Sequence, residues 1–427
     1  VAGGGVLVKL LVNTLLFSGV LITMKTIRVP FVFRSFGAAL AIAGLQFSSA
    51  VLPSAQAEDQ DGQAKAKFFD WENLQSDVGG VADRKDVFLV NPWGLAINPK
   101  ADPKTGPFWV ANNGTGTSTL YEPDGAAFPV STPLVVTIPP TSADTATPPA
   151  TPHAAPTGIV FNPFAKEFPN AFLLSDGQPA AFIFDGEDGS ITAWNGGLTP
   201  ITMAVIKKDN SSSGAVYKGL ALAVRKTGGP TLYATNFNSG KIDVFNNQFQ
   251  QITLTGGFTD PNPKPMLPAG AVGWAPFGIA SIDNLLYVTF AAQNAALHDD
   301  VKGPGAGFVD VFDADGNFKK RLITGGQLDS PWGLAKVPDD SHFGSFNDNV
   351  LLVGNFGDGH INAYNIHSGT EIGKNPLQHR TGQALEFNGL WSLLFFNRQL
   401  YFTAGIVDEA DGLFGFIHPT EHDNSDD

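Results

Sequence analysis

A four-residue phrase, in its commonest form Pro-aromatic-Gly-aliphatic, returns six times along the chain. The copies are Pro92-Trp93-Gly94-Leu95, Pro156-Thr157-Gly158-Ile159, Tyr217-Lys218-Gly219-Leu220, Pro276-Phe277-Gly278-Ile279, Pro331-Trp332-Gly333-Leu334 and Phe387-Asn388-Gly389-Leu390. Their glycines lie 55 to 64 residues apart. A period that drifts yet persists through six copies marks a repeat architecture. It is too long for a solenoid of single hairpins and suits a four-stranded propeller blade carrying insertions.

Each phrase is followed by a hairpin pattern. The clearest runs from Leu232 to Phe245, where apolar and polar residues alternate on two arms joined by Asn238-Ser239-Gly240. Counterparts are 108–121, 181–194, 286–312, 351–364 and 400–417. Trp194, Phe245, Phe312 and Tyr364 end the second arm at equivalent places, as expected of rings packed between neighbouring sheets. An inner strand after each Gly-aliphatic pair, two hairpin strands and a variable outer strand make a blade. The expected fold is therefore all-β, a six-bladed β-propeller. In the phrase, glycine admits close backbone approach near the axis and proline stiffens the entry. The last blade has room for only three strands, so 66–74 is expected to supply its missing outer strand and close the ring.

The composition agrees with a turn-rich all-β chain: of 427 residues, 48 are glycine and 30 proline, and only 15% are charged. Two apolar stretches precede the repeats. From Met24, a basic start with Lys25, Arg28 and Arg34, an apolar run from Phe36 to Phe47 and the small residues Ser54-Ala55-Gln56-Ala57 read as a secretory signal over 24–57. Residues 1–23 read as upstream translation from an alternative start; a membrane anchor is the other reading of 6–22, a run barely long enough to span a bilayer. The propeller is then expected over 58–417, with a polar tail at 418–427. The expected location is secreted or periplasmic, with no membrane association once the signal is cleaved. Cysteine is absent, so burial and not disulfides must supply stability there.

Acidic side chains outnumber basic ones 40 to 26, a formal net charge of −14, and loss of the leader removes four more cations. Such a field disfavours nucleic acid and anionic lipid as partners, and keeps a soluble protein monomeric.

Loops on one rim of a propeller converge on the axis, so chemistry can be assembled from distant positions. The rim candidates are Asn112, Asn113, Asp185, Asn236, Asn238, Asn294, His298, Asp299, Asp300, Asn355, Asp358 and His360, with Asp408, Glu409 and Asp411 behind them. Most are better explained as turn residues, whose side chains tolerate turn backbone geometry. His298-Asp299-Asp300 is the more suggestive group, because the long loop 291–307 has no evident packing duty. Neither His-x-His nor His-Glu-x-x-His occurs, which with no cysteine argues against zinc. No cofactor is evident, although oxygen ligands keep calcium open. Asp313-Ala314-Asp315-Gly316-Asn317 has part of a calcium-loop pattern but lacks its downstream glutamate and reads as a hairpin turn. The inner-strand segments carry no carboxylate, so the channel below its mouth is expected to be apolar.

Pro-Trp-Gly-Leu-Ala at 92–96, Phe-Trp-Val-Ala-Asn-Asn-Gly at 108–114 and Gly-Phe-Val-Asp-Val-Phe-Asp at 307–313 resemble NHL-repeat propellers. With Asn91-Pro92-Trp93-Gly94 and the loop 298–305, the chain is similar over 68–417 to a family of uncharacterised secreted bacterial propellers. The resemblance implies fold and compartment but no activity. The first functional expectation is a binding or scaffold propeller that recognises a small polar molecule, a glycan or a protein segment at the axial rim. The second is an NHL- or lactonase-like hydrolase or lyase with a rim-bound divalent cation, held or assisted by Asp185, Asp299, Asp300, Asp358 and His360.

Overall fold

The computed structural model describes residues 68–104, 106–141 and 153–420. They belong to the second of two units into which the chain divides, Gln63–Asp427. The leader and upstream segments, residues 142–152 of a stretch rich in Pro, Thr and Ala, and the tail from 421 lie outside the described residues. Among those described, no helix is long and apolar enough to cross a membrane.

Two strands precede the first repeat, β1 (Phe69–Ser76) and β2 (Arg84–Lys85). Blade 1 comprises β3 (Pro92–Ile97), β4 (Phe108–Asn112), β5 (Thr117–Tyr121) and β6 (Val135–Thr137), and blade 2 comprises β7 (Pro156–Phe161), β8 (Phe182–Gly186), β9 (Ser190–Trp194) and β10 (Val205–Asp209). Blade 3 has β11 (Tyr217–Arg225), β12 (Gly229–Asn236), β13 (Lys241–Phe245) and β14 (Gln251–Ile252), and blade 4 has β15 (Gly273–Ile282), β16 (Leu285–Gln293), β17 (Phe308–Asp313) and β18 (Phe318–Thr324). Blade 5 has β19 (Pro331–Lys336), β20 (Val350–Asn355) and β21 (Ile361–Asn365), and blade 6 has β22 (Leu390–Phe396), β23 (Gln399–Ala404) and β24 (Leu413–Pro419). Innermost strands pack on one another in chain order, and β22 returns to β3. The result is a closed six-bladed propeller.

The N-terminal strand closes the last blade. β1 pairs antiparallel with β24 from Phe69 opposite Pro419 to Ser76 opposite Leu413, and β2 adds a fifth strand parallel to it. His418 and Pro419 thus belong to a strand and not to a tail, because β1 gives them a backbone partner. Blade 5 departs from the four-strand expectation: it has three strands, and the segment after β21 covers the edge, with Asn375 bonded through its side-chain amide to both backbone groups of Ala363.

The phrase lies inside the inner strand and not before it, opening the strand in blades 1, 2, 3 and 5 and following three further strand residues in blade 4, and it sits at a register shift in every blade. The shift is a β-bulge, which re-aims the side chains around it. Glycine is required there by the next blade: a Cβ on Gly94 would lie 2.5 Å from the Thr157 carbonyl, and one on Gly158 2.5 Å from the Leu220 amide. The sixth copy is displaced by three residues from its sequence reading. Leu390 pairs with Ala404 and Leu393 with Phe402, so Leu390-Trp391-Ser392-Leu393 occupies the phrase's place. Gly389 serves a different need, a left-handed turn residue at φ 65°. Alignment on glycine misplaced the repeat because Ser392 fills the bulge in this blade.

The second position of the phrase therefore reads Trp93, Thr157, Lys218, Phe277, Trp332 and Trp391. Four of the six are aromatic, and they meet across the axis. Trp93 stacks on Trp391 at 3.4 Å between ring centroids, Phe356 stacks on the other side of Trp391 at 3.9 Å, and Trp332 and Phe277 approach edge-on. This buried aromatic plug divides the axial channel into an upper mouth and a lower cavity. Trp194, Phe245, Phe312 and Tyr364 are buried between sheets, as their register predicted.

Candidate functional site

Lys218 is the exception that organises the upper mouth. It enters the plug in place of an aromatic residue, and a buried ammonium needs compensating charge and hydrogen bonds. Its side chain is 3% exposed and forms an ion pair with Glu187, from the β8–β9 turn, whose side chain is 14% exposed. Asp299, from the long β16–β17 loop, lies 3.7 Å from the same ammonium. The Trp93 ring is 5.1 Å below it, and Trp332 Nε1 donates to the Lys218 carbonyl at 2.7 Å. Burial works against charge on both members of the pair. Their mutual attraction overcomes it, so the Glu187 carboxyl falls below and the Lys218 ammonium rises above its ordinary value.

Other loops extend this pair into a ring. Asn113, in the short turn after β4, donates from Nδ2 to Glu187 Oε2 at 2.9 Å. Asn91, just before β3, donates to Glu409 Oε2 at 2.8 Å and accepts from Trp391 Nε1 at 3.1 Å. Burial pushes the Glu409 carboxyl up in spite of the Asn91 bond. His298 Nδ1 and Asp299 Oδ1 are 2.8 Å apart; that contact raises the imidazole and, with Lys218, holds the Asp299 carboxyl down at about 2. These two side chains form the outer layer, 44% and 62% exposed respectively. On blade 5 a second His–Asp pair, His360 and Asp358 at 3.0 Å, stands in the β20–β21 turn. The bond raises His360 and, against burial, lowers Asp358.

Of the rim candidates, the structure brings Asn113, His298, Asp299 and Glu409 into the ring and places Asp358 and His360 on the same face. The others have different roles. Asp185 Oδ1 accepts from Thr157 Oγ1 at 2.9 Å and from the Gly158 amide at 2.6 Å, filling the bulge of blade 2 as Thr289 does in blade 4. Buried there, its carboxyl is pushed up to about 7. Asn112 donates to Thr117 and Thr119 within its own hairpin, and Asn236 bridges Asp243 and the following turn. Asn355 holds the Gln327 carbonyl and Asp358. Asn294 folds its own loop by bonding Asp299 and the His298 amide. Asn238 contributes a backbone carbonyl to Gln293, and burial raises the Asp300 carboxyl beside the loop base. Asp313 Oδ1 collects the amides of Asp315 and Asn317, so that segment is the expected hairpin turn.

Glu187, Lys218 and Asn91 were not among the candidates. The signal for Lys218 was present, a charged residue at a phrase position that is uncharged in every other copy; Glu187 had none beyond its place in a turn.

Glu187, His298 and Asp299 each offer a ligand atom within 4.8 Å of the other two, the compactness of a metal site. The Lys218 ammonium, however, binds both carboxylates of that group. A divalent cation would meet this internal cation at close range, so the residues fit calcium poorly with Lys218 where it stands.

No family model matches the chain. It is 30% identical over 353 residues to the uncharacterised protein R648 of Acanthamoeba polyphaga mimivirus, covering 81% of this chain and 78% of that protein. It is also 30% identical over 357 residues to the uncharacterised protein L690 of the same virus, covering 81% and 84%. The chain belongs to the family of uncharacterised proteins that includes R648 and L690. These relatives are viral, and the bacterial provenance expected from the resemblance gains no support from them. Among solved structures, a glucose dehydrogenase aligns at 13% identity over 83% of this chain and 100% of its own, with a TM-score of 0.45. A gluconolactonase from Xanthomonas campestris aligns at 14% identity over 56% of this chain and 82% of its own, with a TM-score of 0.33. Likenesses of this size carry no statement about activity.

Proposed function

We propose that the protein is a secreted, monomeric binding propeller whose upper mouth recognises a small, neutral, polyhydroxylated molecule. The observation that carries the reading is the ring around Lys218: loops of four other blades gather round one fixed ammonium whose charge is already balanced by Glu187 and Asp299. What the mouth leaves outward is a mixture of donors and acceptors, the outer imidazole edge of His298, the exposed Asp299 carboxylate and the pair on blade 5. Hydroxyl groups, which donate and accept at once, complement such a surface. An anionic ligand would face exposed carboxylates and the acidic excess of the whole chain. The basic, apolar and small-residue pattern of 24–57 supports the extracytoplasmic location; the N-terminal residue of protein recovered from a host's culture medium tests it, with a start near Glu58 expected.

Binding is tested with a panel of neutral sugars and polyols titrated against the protein and against Asp299→Ala and His298→Ala. Saturable binding weakened tenfold or more by either variant is expected. Absence of saturable binding across the panel removes the proposal. A second reading, a hydrolase or lyase with a rim-bound cation, has the compact spacing of Glu187, His298 and Asp299 in its favour and the Lys218 ammonium against it. Elemental analysis before and after chelation separates the two: one equivalent of a divalent metal per chain would favour the enzyme.

A further inference from the structure

Below the aromatic plug the channel opens again, toward the face opposite the polar ring. The lower cavity has a volume of about 650 Å³ and takes its wall from the inner strands of all six blades, including Ile97, Val160, Leu222, Ala280, Leu334 and Leu394. Trp332 belongs both to this lining and to the plug above it. The volume is within the range of small-molecule sites, which combine apolar walls with a few placed polar groups. Here two charged side chains line the cavity, Asp340 in the loop after β19 and Arg398 in the β22–β23 turn of the next blade. Both are exposed, and neither side chain takes part in an ion pair or hydrogen bond among the described residues.

We propose that the lower cavity binds a neutral amphiphile, an apolar body with a carboxamide head. The wall takes the body by burial. The head meets charges of both signs at the opening: Arg398 can only donate and ionised Asp340 can only accept. A carboxamide accepts through its oxygen and donates through its nitrogen, so it can answer either residue without setting a like charge against the other. A free carboxylate would pair with Arg398 but face Asp340 and the acidic excess of the chain. An alkylammonium would pair with Asp340 and face Arg398.

Decanamide, decanoate and decylammonium share a body and differ in the head, and their titration by calorimetry and tryptophan fluorescence tests the assignment. Decanamide is expected to bind one per chain, about tenfold or more tighter than either charged analogue. Arg398→Gln should relieve the discrimination against decylammonium and Asp340→Asn that against decanoate; both residues lie on exposed turns, so the fold is retained. Ala280→Phe, which fills the channel, should abolish binding of all three. No binding of decanamide to the folded protein, equal affinity for the three heads, or an unchanged affinity in Ala280→Phe would overturn the inference.

Discussion

Lys218 shows how one residue changes the chemistry of a repeated position. Around it, an aromatic phrase builds an apolar plug, and a single ammonium converts the plug's upper face into an ordered polar ring. Removing one partner of a buried ion pair leaves the other uncompensated, at a cost of about 3–5 kcal/mol. Lys218→Met should destabilise the protein by that order in chemical denaturation, and adding Glu187→Gln should recover most of the loss; equal effects of the single and double variants would deny the coupling. Asp185 makes a different prediction. Its carboxyl is raised from 3.8 to about 7 by burial, so the folded state disfavours its ionised form. Stability linked to it is complete below pH 3.8 and is lost progressively as pH rises toward 7. Asp185→Asn keeps the acceptor used by Thr157 and Gly158 and removes this dependence. Its stability relative to the parent should rise by a few kcal/mol, in order of magnitude about the free energy of the shift, between acid and neutral pH.

At the scale of the elements, the bulge in each inner strand couples one blade to the next. Gly278 is packed so that a Cβ would strike the Trp332 carbonyl, and Thr289 already bonds the Gly278 amide at 2.8 Å. Gly278→Ala should therefore cost about 1–3 kcal/mol by overpacking, read from denaturant midpoints; a neutral effect would show that the inner strands can separate without penalty. The same bulge explains what could be read from the residues alone. Period, blade count and the hairpins were legible because each copy repeats the same packing demand. The sixth copy was misplaced because Ser392 can occupy the bulge and a turn glycine stands three residues earlier. The site was only half legible: His298 and Asp299 stood out in a long loop, whereas Glu187 acquires its role from Lys218, a neighbour 31 residues away in another blade. Asp185, Asn112 and Asn236 have the residue types of ligands but satisfy backbone and hydroxyl groups of their own blades.

For the whole molecule, closure depends on β1. Phe69 stacks on Phe343 at 4.8 Å between centroids, Leu74 is buried at the seam with blade 1, and the strand supplies the last edge with its backbone partners. Burial of these two side chains alone is worth about 1.5–3 kcal/mol each. A chain beginning at residue 77 should melt well below the parent and expose the β24 edge to aggregation; an unchanged melting temperature would mean that the ring does not need its N-terminal strand. The closed ring also sets two faces apart, a polar mouth above the plug and an apolar cavity below.

Amide chemical-shift mapping during titration with neutral monosaccharides and polyols addresses the upper face most directly. Saturable shifts are predicted for Asn113, Glu187, His298, Asp299 and His360, with residues 339–341 and 397–398 on the opposite face unaffected. Shifts confined to those lower loops, or none at the ring around Lys218 for any ligand in the panel, would contradict the account.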